Sequence, residues 1–203
     1  MRSSKRPAST VVRVLVALVV ACALAALVLA CAVAGCGALA AQQPGTLVIR
    51  NARVAGTIDA PMLEIGIDCK LSGPMQDALD HGIPLTFRIR VDASRWRLLP
   101  SDARAEHRIE LRYFPLSRRY QVRDLDAPVD VRSFATPGNL LASLNAMRLP
   151  LPPAFATLSR GAPVRIGVEL ETASLPGALR LPAVFEPAWQ LSSTEYTWLA
   201  KAG

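Results

Sequence analysis

Apolar and polar residues alternate with a period of two along much of this sequence, and this alternation constrains the fold more than any other feature. In the clearest segment the apolar positions are Leu63, Ile65, Ile67, Cys69 and Leu71. Successive side chains of a β-strand point to opposite faces, so the pattern predicts a strand with one buried and one solvated face. Further strands are predicted over residues 46–54, 85–92, 108–113, 120–122 and 164–171, and one or two more around Leu181, Phe185, Trp189, Leu191 and Trp198.

A short helix is predicted directly after the clearest strand. Ser72 offers an N-cap oxygen, and Pro74 suits the first helical turn. Gly82 provides a C-terminal stop. These signals predict a helix from Gly73 to His81.

A second helix is predicted to begin at Thr136-Pro137, an N-cap followed by a proline at the first helical position. Its buried stripe consists of the apolar residues at helical spacing, Leu140, Leu141, Leu144 and Met147. The proline-rich residues 149–153 end this helix, and we interpret them as a stiff connector rather than as a polyproline ligand.

The polar face of every clear strand argues against a buried parallel sheet. The predicted fold class is therefore α+β and mainly antiparallel β, a sheet or sandwich of about seven or eight strands with two short helices. Residues 42–203 are expected to form a single domain, preceded by an N-terminal segment over residues 1–41.

The N-terminal segment combines four basic residues with an unbroken apolar run of 21 residues, 14–34. Such a run is long enough to cross a membrane as a helix, and the basic cluster orients the rest of the chain outward. Three fates remain open: cleavage between Ala40 and Ala41, lipidation of Cys36 in a lipobox-like Val33-Ala34-Gly35-Cys36, or an uncleaved anchor. Each predicts export across the inner membrane to the periplasm, with the domain either soluble or membrane-anchored.

The formal net charge of +7 reflects that segment more than the domain. Four of the 23 basic residues lie before residue 42, which leaves 19 against 16 acidic residues. A net charge of about +3 is ordinary for a soluble domain, so the balance gives no support to nucleic-acid binding.

The order of landmarks resembles a known family. A strand over residues 62–71 runs into residues 75–87, and Leu111-Arg112-Tyr113 and residues 116–120 follow; the chain closes with residues 175–179 and 189–193 ahead of Trp198. Over nearly all of residues 46–199 this is similar to the proteobacterial domain of unknown function 4390. The resemblance implies a small exported or envelope-anchored domain with no assigned activity. It also implies a signalling context, because such genes often lie near those of membrane sensor kinases.

Arginines on the predicted outward strand faces form the candidate binding site. If neighbouring strands pair, their guanidinium groups make a patch that binds phosphate or carboxylate in bidentate fashion. The alternative is an ordinary solvated sheet face with Asp92 and Glu110 as partners. The candidate patch consists of Arg88, Arg90, Arg108, Arg112, Arg118 and Arg119.

Other chemistry-bearing residues carry weaker signals. His81 and His107 are isolated in sequence, and Cys69 lies in phase with the buried positions of its strand. We predict structural roles for all three, and core packing for the tryptophans. No catalytic, metal-ligand or cofactor motif is recognisable in the sequence.

The sequence therefore predicts a non-enzymatic binding module of the cell envelope. Its partner would be an envelope protein, such as the outward part of a membrane sensor, or an anionic lipid. The alternatives are a periplasmic carrier or sensor of a lipid or another amphiphile, and an enzyme of unrecognised type. An exposed apolar groove near the second helix would favour the carrier, and a flat arginine patch would favour the protein partner.

Overall fold

A computed structural model describes residues 44–94, 103–127, 131–159 and 161–200. The apolar run, Cys36, Ala40, Ala41 and Trp96 lie outside these residues, so the alternatives for the N-terminal segment stay predictions. Within the described ranges no helix is long and apolar enough to cross a membrane.

The described residues form nine strands in two antiparallel sheets, and the predicted fold class is confirmed. Sheet A has the order β1-β2-β7, and sheet B has the order β6-β5-β4-β3-β8-β9. The strands are β1 Thr46–Gly56, β2 Pro61–Lys70, β3 Leu85–Ala93, β4 Ala103–Phe114, β5 Arg119–Asp124, β6 Val131–Phe134, β7 Met147–Pro150, β8 Pro163–Leu170 and β9 Tyr196–Leu199.

The apolar faces of the two sheets share one core. In sheet A the partners Leu63 and Leu149 lie at 0% and 3% exposure. In sheet B, Ile89 on β3 is fully buried opposite Val168 on β8. Each such side chain contributes about 1.5–3 kcal/mol when it is buried. The alternation seen in the sequence is thus the alternation between core and solvent.

The first predicted helix is confirmed as α1, Gly73–Asp80. The Ser72 hydroxyl accepts a hydrogen bond from the Met75 backbone N–H at 3.4 Å, which is the expected N-cap contact. Gly82 follows with a φ of 80°, a left-handed conformation that glycine adopts without strain.

The second helix is shorter than predicted, and its last buried position belongs to a strand. Helix α2 spans Pro137–Ala142 and continues as a 3₁₀ turn over Ser143–Ala146. Met147 then begins β7, where it pairs with Ile65 of β2. The proline-rich connector is also partly strand, because β7 supplies hydrogen-bond partners to the edge of β2.

The C-terminal region holds a third helix where the sequence predicted strands. Helix α3 spans Gly177–Phe185 and contains Pro182. Leu181 and Phe185 are 70% and 77% exposed, so their apolar side chains do not mark a buried strand face. Trp189 is buried in the core as predicted, and Trp198 lies half-buried on β9.

Candidate functional site

Sheet B brings the predicted arginines Arg88, Arg90 and Arg108 to one outward face, where each faces a carboxylate. Arg88 lies between Arg108 on β4 and Glu169 on β8. Its guanidinium donates to Glu171, and that of Arg90 donates to Glu169.

The third member of this face is paired as well. Arg108 Nη2 lies 2.9 Å from Asp126 Oδ1, and the Arg108 backbone N–H also donates to the same carboxylate. The hydrogen bond with Arg108 is the main cause that lowers the pKa of Asp126. An external anion would have to compete with these built-in carboxylates, so the central part of the predicted patch is a charge-balanced sheet face.

Arg112, Arg118 and Arg119 behave differently because they lie at the β4–β5 hairpin tip, residues 112–119. Arg112 lies over the Phe114 ring, with its guanidinium carbon 5.0 Å from the ring centroid. In the part of the chain that the structure describes, none of these three arginines has an ion pair. Leu116, between them, is fully exposed. The hairpin tip therefore presents three unbalanced positive charges around one apolar side chain.

The hairpin tip is braced against α1. The Tyr113 and Tyr120 rings lie 4.6 Å apart, centroid to centroid. The Tyr120 hydroxyl donates to Asp80 Oδ1 at 2.7 Å. Burial, followed by this hydrogen bond, raises the pKa of Tyr120 to about 12. The hydrogen bond fixes the base of the hairpin to the last turn of α1, so the tip is presented on a packed support.

An apolar cleft opens between the edge strands of the two sheets, β1 and β9. It has a volume of about 790 Å³. We call it the β1–β9 cleft, and its apolar lining consists of Ala52, Val54, Ala55, Ile58, Pro61, Phe155, Ala156, Leu158, Trp198, Leu199 and Ala200. Ile58 and Leu199 are 73% and 63% exposed, so large apolar side chains face solvent at this cleft.

The rim of the cleft carries a balanced charge pair. Arg53 lines the cleft and pairs with Glu64 through its Nε, at 2.6 Å from Glu64 Oε2. This hydrogen bond is the main cause that lowers the pKa of Glu64. The sequence did not single out this cleft, because it assigned Trp198, one of the lining residues, to core packing.

His107 and Asp124 form a buried pair that the sequence did not predict. His107 Nδ1 lies 3.0 Å from Asp124 Oδ2, and both side chains are 7% exposed. His107 Nε2 lies 2.8 Å from the carbonyl oxygen of Pro150. A carbonyl only accepts, so Nε2 donates, and both ring nitrogens are engaged. The ring joins sheet B to β7 of sheet A and has no free nitrogen to act as a general base.

The remaining candidates have local explanations. Cys69 is buried, and burial raises the pKa of its thiol to about 12, so it is not a poised nucleophile. His81 Nδ1 lies 2.6 Å from the carbonyl oxygen of Asp77 at the end of α1. The described residues contain no group of three or more metal-ligating side chains close enough to hold an ion.

Comparison with known proteins gives one result. The model of a family described as a domain of unknown function (DUF4390) matches residues 45–199. Neither the curated proteins nor the solved structures gave a match.

Proposed function

The chain belongs to the DUF4390 family, and we propose that its domain is a non-enzymatic binding module of the cell envelope that takes the apolar chain of an amphiphile into the β1–β9 cleft. The observation that carries this proposal is the apolar cleft itself, although it lies between β1 and β9 rather than near the second helix, where the sequence predicted the groove of a carrier. Its volume of about 790 Å³ lies in the range typical of small-molecule sites.

The lining supports an apolar ligand rather than a charged one. Arg53 is the single charged lining residue, and Glu64 already neutralises it. Each methylene group removed from water contributes ~0.8 kcal/mol, so an eight-carbon chain would gain ~6 kcal/mol before the entropy of binding is subtracted.

The non-enzymatic character is supported by the state of His107. His107 and Asp124 resemble a catalytic dyad, in which the second histidine nitrogen takes a proton from a nucleophile. In this pair that nitrogen, Nε2 of His107, already donates to the Pro150 carbonyl oxygen. The envelope location is supported by the basic cluster and apolar run of the N-terminal segment. A reporter that is active only outside the cytoplasm, fused after Gly203, tests that location, and an inactive but intact fusion would contradict it. Mass spectrometry of the mature N-terminus separates the three fates, since it would find Ala41, a lipidated Cys36 or an unprocessed start.

A matched pair of variants tests the cleft. Ile58 lines the cleft and Leu181 on α3 does not, although both are about equally exposed, at 73% and 70%. Ile58→Gln should weaken the binding of 1-decanoylglycerol, a neutral amphiphile, while Leu181→Gln should leave it unchanged. Isothermal titration calorimetry measures both. Equal losses in the two variants, or no binding by the unchanged protein, would contradict the proposal.

The hairpin tip supports a second candidate function, recognition of an acidic surface on an envelope protein such as the outward part of a membrane sensor. Arg112, Arg118 and Arg119 surround the fully exposed Leu116, and arginine with an apolar anchor is typical of protein interfaces. Of the six arginines in the candidate patch, these three are the ones that no carboxylate of the described residues neutralises.

Two double variants separate the hairpin tip from the paired face. Arg118→Gln with Arg119→Gln should abolish capture of the sensor's outward domain, and Arg88→Gln with Arg90→Gln should preserve it. Binding should weaken with salt, because exposed charges are screened over about 8 Å at physiological ionic strength. If the first double variant loses retention on phosphatidylglycerol vesicles but not on the sensor domain, the ligand is an anionic lipid and the protein-partner proposal is wrong.

A further inference from the structure

One arginine, Arg132, lies on the inner face of sheet B at the end of a row of buried apolar residues. Leu85, Leu111, Val122 and Arg132 are successive cross-strand partners on β3, β4, β5 and β6. The first three are at most 2% exposed. Directly opposed residues of neighbouring strands share a face, so Arg132 continues this buried row at the edge of the sheet.

Arg132 lines a cavity of about 580 Å³ between β5 and β6 of sheet B and β7 of sheet A. We call this the β6–β7 cavity. It shares no lining residue with the β1–β9 cleft, which lies at the other edge strand of each sheet. Its walls are mainly apolar, formed by Met62, Ile109, Val122, Ala127, Ala146, Met147, Leu149 and Pro150.

The positive charge of Arg132 has no partner within the described part of the chain. Its Nε is buried and makes no hydrogen bond to any protein atom. Asp124 also lines the cavity, but its two oxygens already accept hydrogen bonds from His107 and from the Asp126 backbone N–H. Arg148, the other charged lining residue, shares Glu64 with Arg53, and its side chain is 74% exposed, so water screens its charge.

The His107–Asp124 pair adds no net charge to the cavity. Since Nε2 of His107 keeps its hydrogen for the Pro150 carbonyl, the bond between Nδ1 and Asp124 must also contain a proton. The pair is neutral whether that proton resides on nitrogen or on oxygen. The cavity therefore combines an apolar wall with a guanidinium that no described carboxylate pairs, and leaving its buried Nε–H without an acceptor costs free energy.

We propose that the β6–β7 cavity binds a small organic acid, whose carboxylate pairs with the guanidinium of Arg132 and whose apolar body lies against Ile109, Met147 and Leu149. A guanidinium offers parallel N–H donors that match the two oxygens of a carboxylate. The orphaned Nε is one of those donors. This site is independent of the proposed function, because it lies outside the β1–β9 cleft and the hairpin tip.

Octanoate, octanol and acetate test the proposal on the full-length chain. Octanoate supplies both charge and apolar body, whereas octanol lacks the charge and acetate lacks the body. By calorimetry, octanoate should bind about tenfold more tightly than octanol, the preference expected of a charge-assisted hydrogen bond, and its advantage over acetate, which lacks six methylene groups, should be larger still. Arg132→Gln should reduce octanoate to the affinity of octanol, and Arg132→Lys should keep part of the preference.

Arg123→Gln is the matched control, because Arg123 lies on the neighbouring strand β5 but on the outward face of sheet B, where it pairs with Glu110. It should leave the affinity for octanoate unchanged. In the unchanged protein, octanoate and not octanol should shift the NMR resonance of the Arg132 Nε–H, which tests the contact even if a variant fails to fold. The proposal is overturned if octanoate binds no better than octanol, or if Arg132→Gln keeps the preference. Ile58→Gln should not alter this preference, so failure of the cleft and failure of this site are distinguishable.

Discussion

Replacing Asp124 by alanine should be among the most destabilising single changes in the domain. It leaves His107 Nδ1 and the Asp126 backbone N–H without their acceptor in a site where both paired side chains are 7% exposed. Each buried polar group that is left unsatisfied costs about 1–3 kcal/mol, so the two together cost about 2–6 kcal/mol. Domains are typically stable by about 5–15 kcal/mol, so this change alone would remove a large part of the free energy of unfolding.

Asparagine at the same position separates hydrogen bonding from charge. Its amide oxygen can accept from the Asp126 N–H, and its NH₂ group can donate to a neutral His107 that still donates to Pro150. Both contacts of Asp124 then survive as neutral hydrogen bonds, which are weaker by about 1 kcal/mol each. Asp124→Asn should therefore cost clearly less than Asp124→Ala.

Urea unfolding followed by circular dichroism measures both costs. His81→Ala is the control, because it removes a histidine whose contact with Asp77 is exposed, and it should cost about 0.5 kcal/mol or less. If alanine and asparagine at position 124 cost the same, the hydrogen-bond account of the pair is wrong. A cost below about 1 kcal/mol for alanine would show that the site relaxes or admits water.

Three further predictions follow from shifted pKa values. Arg108→Gln should raise the pKa of Asp126 toward its ordinary value of 3.8 in an NMR titration. Because the pKa of Asp126 is lowered in the folded state, this pair contributes its full stability above the ordinary value of 3.8. That stability is lost as pH falls through the folded pKa. The Arg108→Gln variant should therefore lose less stability in acid than the unchanged protein. Burial raises the pKa of Cys69 to about 12, so the native thiol should react with a thiol reagent only as fast as the domain opens, and immediate labelling would contradict its burial. Asp80→Asn should lower the pKa of Tyr120 from about 12 in an ultraviolet titration, though only in part, because burial is the larger cause. The stability linked to Tyr120 should be lost as pH rises from about 10 towards the folded pKa.

The sequence predicted the elements whose signals are local. Helix α1 has its cap at Ser72 and its stop at Gly82, and strands β2, β3, β4 and β8 are long enough for the alternation to be unambiguous. Strand β7 has only four residues, and its buried Met147 also continues the helical spacing of Leu140 and Leu144. Over so short a stretch, periodicity cannot distinguish a helix from a strand, and it is pairing with β2 that makes Met147 part of a strand.

In the candidate patch, the sequence predicted the face on which the arginines lie but not their ion-pair partners. Alternation placed Arg88 and Arg90 on the outward face, and the structure places them there. Their partners Glu169 and Glu171 lie about eighty residues further along the chain, on and just after β8. Only the strand order makes β3 and β8 neighbours, and a single sequence does not contain that order. Arg132 was missed for a related reason, because a four-residue strand gives too few positions to assign a face.

Both cavities follow from the unequal widths of the two sheets. Sheet A has three strands and sheet B has six, and at about 4.8 Å per strand the smaller sheet is narrower by roughly 14 Å. It cannot cover the inner face of the larger one. At one edge of sheet A, next to β1, the uncovered inner surface of sheet B forms the β1–β9 cleft. At the other edge, next to β7, it forms the β6–β7 cavity. The inner row of Leu85, Leu111 and Val122 ends in Arg132 where this cover stops. The guanidinium that lacks a partner therefore lies at the position where a ligand can reach it.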